Sequence, residues 1–401
     1  MKKLLTVFAT IAAAFCCAFG ISACGEDSVP DYKDFEKFKA EFAVECFNDG
    51  AVPQGLAEYY APYESVADYG KAATNFQGYF LVSAYMNDGS PSRIYVTGQN
   101  TGYVGYVTML NEDGTPHNGS VNGIATNGSR LWVTDGDSIL VAQASEEYSN
   151  ANILREIIAK AEKNSKLKEG EEVQTVQFTA SFKANCNVSF LYYFHDPRYT
   201  TASYDRLYAG GSRESTSVMY EYRTNTNATN VYGLDLIDSD NSDSLLSDNV
   251  PKIQKMYSIP ENIQGVAFSG RESYGTTAGT LVLSQSNGTE GSHILCFDWN
   301  TVNAKSTKYT EVSGKNAGFT YDGVYRTDGI NRVPYTDTNL YVYYVDKNNS
   351  AAFTNDYQIP PAAKGMCTVT TAGTSNSAQK RVYLLFESEY KSVYSFIPVT
   401  K

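Results

Sequence analysis

Tryptophan, histidine and positive charge are all scarce in this sequence. Its 401 residues include two Trp and three His, and 32 Lys and Arg stand against 44 Asp and Glu, for a net charge of −12. Loss of Lys2 and Lys3 with an N-terminal leader would deepen the deficit. Nucleic-acid binding needs a basic face to displace phosphate counterions, so nucleic acid is excluded as a partner. His117, His195 and His293 form no interpretable Ser–His–Asp spacing, and no Gly-x-Ser-x-Gly elbow occurs. Closely spaced cysteine pairs of the zinc-binding kind are missing as well. After Cys24 only Cys46, Cys186, Cys296 and Cys367 remain, far apart in strand-like contexts. They are expected to be buried free thiols, although the compartment would permit disulfides.

Tyrosine and glycine are abundant, at 32 and 31 copies, and they favour strands and turns. With 42% hydrophobic and 19% charged residues, the chain can bury a core. Its length suits two ordinary domains or one large all-β domain.

The first residues carry a basic start, Lys2-Lys3, then an uncharged apolar run from Leu4 to Ala23 that ends in Ile21-Ser22-Ala23-Cys24. This reads as a secretory signal closed by a bacterial lipobox, with 1–23 removed and Cys24 lipidated. The chemistry suits the assignment, because a thiol is a good nucleophile for diacylglyceryl transfer. A tether over 24–37 would then hold the body outside the cytoplasm, on the bacterial membrane or cell surface.

An internal repeat organises the rest. Val52-Pro53-Gln54-Gly55-Leu56-Ala57 is followed by Tyr79-Phe80-Leu81-Val82-Ser83, and Val121-Asn122-Gly123-Ile124-Ala125 by Leu131-Trp132-Val133-Thr134. Ile263-Gln264-Gly265-Val266-Ala267 precedes Leu281-Val282-Leu283-Ser284, and Ala363-Lys364-Gly365-Met366-Cys367 precedes Val382-Tyr383-Leu384-Leu385. A weaker copy lies at Thr179-Ala180-Ser181-Phe182, with Leu207-Tyr208-Ala209-Gly210 after it. Each copy has a polar residue, a glycine and small residues, then a turn and an apolar strand. Third strands follow at 93–96, 138–141, 218–222 and 293–297, and fourth strands are expected at 172–178, 255–260 and 356–360. This is the pattern of a β-propeller blade: small residues crowd the axis, and a second strand is buried on both faces. The stretch after Gly365 is too short for a repeat, but joined to the stretch from Cys24 to Gln54 it makes one of ordinary length. The sequence therefore predicts a single all-β propeller over 38–401, with five blades and the last closed by a strand at 41–47. A helix within 34–47, and a sixth blade built on Asn339–Val345, are the alternatives. Residues 300–337 read as an insertion. A 3.6-residue periodicity at Leu154, Ile157, Ile158 and Ala161 predicts one helix over 152–168, within an insertion near 146–168, decorating blade two.

The phrases VPQGLAEYY, VNGIATNGSRLWVTDGDSILV, IPENIQGVAF, LVLSQSNG and VYLLFESEY resemble a family of exported bacterial propeller lipoproteins. More distantly the chain is similar to NHL-repeat, gluconolactonase and strictosidine-synthase propellers. That resemblance covers about residues 40 to 398 and implies the fold, but no settled activity. Lys364 and Ala180 depart from its amide pattern, and the third copy lacks the glycine.

Propeller ligands bind at a mouth of the central channel. The repeat positions there are Gln54, Asn122, Ala180, Gln264 and Lys364, and one strand outward Ser83, Thr134, Gly210, Ser284 and Glu387, with Tyr85, Asp135 and Gln285 just beyond. Two interpretations stand side by side: a pocket for a polar small molecule, carbohydrate or protein partner, or polar groups that only bridge neighbouring blades. No catalytic residue is assigned and no cofactor is expected. A divalent cation such as calcium is what Glu387, Asp135 and Asn122 could take, and a metal-dependent hydrolase or lactonase is the catalytic alternative. Only Glu387 among the ring positions is acidic, which leaves a glycosidase pair unformed. Lys364 and Glu387 could form an ion pair that plugs the channel, and that is the outcome expected. His117 lies just before the second copy, near the mouth. The acidic run from Asp235 to Asp243 lacks the glycine and glutamate of a calcium loop and reads as solvated. The many tyrosines, such as Tyr59, Tyr60, Tyr192, Tyr193, Tyr343 and Tyr344, are expected to cover strand edges or to line a carbohydrate surface.

Overall fold

The computed structural model describes residues 32–59, 78–99, 101–145, 152–184, 186–194, 205–213, 216–225, 230–236, 251–269, 279–308, 325–327, 332–334, 341–370, 380–387 and 390–399. The leader, Cys24, His195, Tyr60, Glu146, Glu147 and most of the 235–243 run lie outside these residues. Among the described residues no helix is long and apolar enough to cross a membrane.

Twenty of the strands form five antiparallel blades around one axis. Blade one is Ala51–Tyr59, Tyr79–Met86, Arg93–Gly98 and Gly102–Leu110. Blade two is Ile124–Thr126, Arg130–Asp135, Ser138–Gln143 and Ala180–Lys183. Blade three is Asn187–Phe194, Arg206–Arg213, Thr216–Arg223 and Ile253–Ile259, and blade four is Ile263–Ser269, Thr280–Gln285, Ser292–Asp298 and Phe353–Ile359. Blade five joins Ala363–Thr370, Lys380–Phe386 and Ser392–Phe396 to an N-terminal strand, Lys39–Ala43, which pairs antiparallel with Ser392–Phe396. The strand reading therefore holds for Lys39–Ala43, and instead of the alternative 3.6-residue helix this segment carries only short 3₁₀ turns, Lys33–Lys37 before the strand and Glu45–Asp49 after it.

Three expectations are corrected by the strand pairing. Ala180–Lys183 is the outermost strand of blade two, so the innermost strand of blade three begins later, at Asn187. The segment expected as the fourth strand of blade two contributes Thr175–Gln177, which pairs in parallel with Gly102–Leu110 as a fifth strand of blade one. Helix Ile153–Asn164 leaves blade two but packs on the outer strand of blade one. There a Cβ on Gly105 would stand 2.1 Å from the Ala161 carbonyl oxygen. Asn152 caps that helix by accepting from the amides of Leu154 and Arg155. The sixth-blade alternative also resolves: Tyr341–Tyr344 pairs in parallel with Ile253–Ile259, and Ser306–Lys308 pairs with it in turn, so the insertion widens blade three.

The core lies in slabs between blades. Second strands supply most of it: Leu131, Trp132 and Val133 are fully buried, as are Leu281, Val282 and Leu283. Each such side chain contributes about 1.5–3 kcal/mol. Tyrosine is core material here and only secondarily an edge residue. Tyr95, Tyr220, Tyr257 and Tyr357 are all fully buried, and the hydroxyls of Tyr95 and Tyr257 donate to Asp49 and Glu221. Tyr192 is buried as well, while Tyr193 donates to Asp205. Cys46, Cys186, Cys296 and Cys367 are free and buried, and burial pushes the Cys46 thiol up to about 12.

The packed body already includes Lys33–Lys37, inside the stretch expected as tether. Phe35 and Phe38 of this entry segment lie against Tyr394 and Phe396 with ring centroids 4.8 and 4.4 Å apart.

Candidate functional site: the channel mouth

Antiparallel pairing brings the starts of the innermost strands and the ends of the second strands to one end of the propeller. Successive innermost strands nearly touch there. An added Cβ would lie 2.8 Å from Ile124 N at Gly55, 2.7 Å from Leu191 N at Gly123, 2.5 Å from the Lys364 oxygen at Gly265, and 2.5 Å from Leu56 N at Gly365. Glycine at these positions is a requirement of backbone approach between blades, whatever its conformational freedom.

Just before these glycines the ladders slip. The register shifts between Pro53 and Gly55, Ile263 and Gly265, and Ala363 and Met366, so Gln54, Gln264 and Lys364 sit on bulges that turn them out of the regular pleat. Blade three slips between Val188 and Phe190. Its member of this ring is therefore Ser189, which replaces Ala180, and Phe190 stands where the others have glycine. The bulge was invisible in the sequence because the glycine that marks it elsewhere is absent.

One strand outward, the hydroxyls join backbones together. Ser83 accepts from Gly55 N at 3.1 Å and donates to the Val121 oxygen of blade two at 2.9 Å. Thr134 accepts from Gly123 N, and Ser284 donates to the Lys364 oxygen of blade five at 2.9 Å. All three are fully buried. For Ser83 and Ser284 the bridging interpretation describes what the side chains do. Pairing of Ala363 with Phe386 puts Leu385 at the Ser83 position of blade five, so Glu387 lies two residues farther out.

Glu387 nonetheless meets Lys364, with Oε2 2.8 Å from Nζ. The lysine side chain is 19% exposed and the glutamate 32%, so water reaches the pair. Burial, and then the Glu387 charge, raise the Tyr85 hydroxyl above its ordinary pKa. Gln285 is held at both ends, donating to the Glu261 oxygen and accepting from Lys347. The amides of Gln54, Asn122 and Gln264 behave differently: none has a side-chain hydrogen bond among the described residues, although Gln54 is only 5% exposed. Asp135 accepts from Ser120 at 3.5 Å and faces His117 across 3.8 Å. No group of three or more His, Cys, Asp or Glu converges among the described residues.

No family model and no curated protein matches this chain. Among solved structures it is similar to the PQQ-bound form of aldose sugar dehydrogenase from Streptomyces coelicolor, at 12% identity and a TM-score of 0.33 over 89% of this chain and 97% of that one. It is also similar to the WD40 domain of Toxoplasma gondii coronin, at 6% identity and a TM-score of 0.28 over 80% of this chain and 79% of the other. Both are propeller proteins. Likenesses this distant carry no argument about ligand or reaction, and the five-blade assignment rests on the strand pairing.

Proposed function

We propose that this protein is an exported, lipid-anchored propeller that binds a polar ligand or partner at its channel mouth without catalysis. The observation that carries this reading is the set of unpartnered amides. Gln54 is 5% exposed as a residue and Asn122 and Gln264 are partly exposed, and the amide atoms of all three keep contact with solvent at the mouth, where a ligand can reach them. A ligand that both donates and accepts hydrogen bonds, such as a carbohydrate, would satisfy Gln54, Asn122 and Gln264 together. The hydroxyl staples keep the blades fixed, so the amides are held in place before binding.

Ser83 and Ser284 serve this site from behind, by holding the backbones on which the amides stand. The hydrolase or lactonase alternative draws on Asn122, Asp135 and Glu387. Asn122 and Asp135 belong to blade two and Glu387 to blade five, where it is already paired with Lys364. Export and anchoring rest on the sequence from Lys2 to Cys24.

Two experiments test the reading. Oligosaccharides and polyols screened by calorimetry should give binding to the wild type that falls at least tenfold in a Gln54→Ala, Gln264→Ala double variant. Turnover of a bound compound, or binding indifferent to both substitutions, would overturn it. Independently, Cys24→Ala should leave the membrane fraction or remain unprocessed. A processed, lipid-labelled mutant protein in membranes would disprove the anchor.

A further inference from the structure

Blades four and five carry the same backbone at the mouth and close it with different side chains. Asn262 and Ala362 both take a positive φ, of 60° and 64°, and their carbonyls accept from the amides of Ser286 and Glu387 at 3.0 and 2.9 Å. The bulge residues that follow are Gln264 and Lys364. Ser286 is buried and its hydroxyl accepts from Ser292 at 3.1 Å, whereas the Glu387 side chain is 32% exposed. Blade four thus builds this corner with an amide and a hydroxyl, and blade five with an ammonium and a carboxylate. The charges are not needed to hold the corner, and an ion pair open to water adds little stability.

The pair stands among the amides. A Cβ on Gly265 would meet the Lys364 carbonyl oxygen at 2.5 Å, and one on Gly365 would meet the Gln54 carbonyl oxygen at 2.9 Å. Lys364 therefore lies between Gln264 and Gln54 around the axis. In blade one the position of Glu387 is taken by Tyr85, whose hydroxyl feels the Glu387 charge.

Lys364 Nζ and Glu387 Oε2 are 2.8 Å apart. An ammonium has three hydrogens to give and no lone pair, while a carboxylate only accepts and has several lone pairs. Adjacent gauche hydroxyls of a pyranose are separated by about this same hydrogen-bonding distance. One hydroxyl can accept from Lys364 while its neighbour donates to Glu387, and both bonds are charge-assisted. An acidic sugar fits less well, because Glu387 already neutralises Lys364 and would repel a second carboxylate.

We infer that Lys364 and Glu387 bracket two adjacent hydroxyls of an uncharged sugar, and so select neutral over acidic carbohydrate at the channel mouth. This specificity rests on the mouth being a polar-ligand site, in which the three amides hold the rest of the sugar.

Calorimetry with neutral trisaccharides of glucose, mannose, galactose and xylose, alongside trigalacturonate, tests it. At least one neutral trisaccharide should bind, and trigalacturonate should bind at least tenfold more weakly. Lys364→Met and Glu387→Gln should each weaken the neutral sugar at least tenfold. Monodeoxy derivatives of that sugar should reveal two adjacent hydroxyls whose removal costs the wild type as much and costs either variant little more, a coupling that a merely structural role would not produce. Sugar binding that is lost in the Gln54→Ala, Gln264→Ala double variant but kept in Lys364→Met and Glu387→Gln would overturn the bracket and leave the mouth a sugar site. Binding indifferent to all four substitutions would overturn both. Failure of every neutral sugar, or preferred binding of trigalacturonate that Glu387→Gln strengthens, would overturn the selection of neutral carbohydrate.

Discussion

Blades three and five solve the same problem in opposite ways. Blade five is drawn from both ends of the chain, has four strands, and meets blade one through Gly365 against the Leu56 amide. Blade three comes from one side of the chain, is widened to six strands by the insertion, and has Phe190 at the corresponding inner position. The volume is balanced one strand away. Gly210 pairs with Phe190, and a Cβ on it would stand 2.5 Å from the phenylalanine ring. In blades one, two and four the pairing is glycine inside and hydroxyl outside, as in Gly55 with Ser83 and Gly265 with Ser284, while in blade five Gly365 stands opposite Leu385. The axis constrains the sum of the two side chains, and either strand can supply the small one.

The largest effect should come from opening blade five. Deleting residues 25–48 removes the strand Lys39–Ala43 together with the buried Phe38, Val44 and Cys46. Each buried side chain is worth roughly 1.5–3 kcal/mol, so their sum approaches a domain's whole net stability. The truncated protein should aggregate, or melt far below the wild type in a thermal scan. An unchanged melting temperature would mean that the closure of blade five is dispensable.

Blade three permits a sharper test of the exchange of volume. Phe190→Gly should cost about 3–5 kcal/mol, as large core truncations do. Gly210→Ser alone should also destabilise, because its Cβ would meet the Val218 oxygen at 2.4 Å as well as the Phe190 ring. If the two positions share one volume, the double variant should recover part of the loss through coupling of about 0.5–3 kcal/mol, as measured by chemical denaturation. Strict additivity would show that the inner and second strands pack independently.

The same exchange explains what could be read from the sequence. Four blades announced themselves through glycine at the axis and a following apolar strand, because backbone contact and two-sided burial each leave a mark on composition. The N-terminal closure was legible for a similar reason, since the last repeat was short of one strand. Blade three hid its inner strand because Phe190 occupies the marked position, and Ser181-Phe182 offered a false match a few residues earlier. That error displaced the ring member from Ser189 to Ala180. The helix was legible as a helix from its apolar stripe. Its seat on blade one depended on Gly105, far away in sequence. At the mouth, the ring residues Gln54, Asn122, Gln264 and Lys364 followed from the repeat. Which groups are paired did not, because hydrogen bonds such as Ser83 to Val121 join segments that no local pattern relates.

The smallest effect should come from the charged pair of blade five. The sequence suggested a buried plug, for which removing one partner would strand the other at a cost of about 3–5 kcal/mol. The observed pair is a direct one, with Lys364 Nζ 2.8 Å from Glu387 Oε2. But both side chains keep contact with water, and a lysine released from its partner can be solvated where it stands. Exposed and half-exposed pairs contribute about 0–1 kcal/mol, because screening and the entropy of two long side chains offset the attraction. Glu387→Gln should therefore lower stability by no more than about 1 kcal/mol in chemical denaturation. The effect should shrink further as salt is raised, since water and ions already reach the carboxylate. A loss of several kcal/mol that persists in high salt would mean that the mouth closes over this pair in solution. It would also make the charged end of blade five as much a part of the core as the aromatic end of blade three.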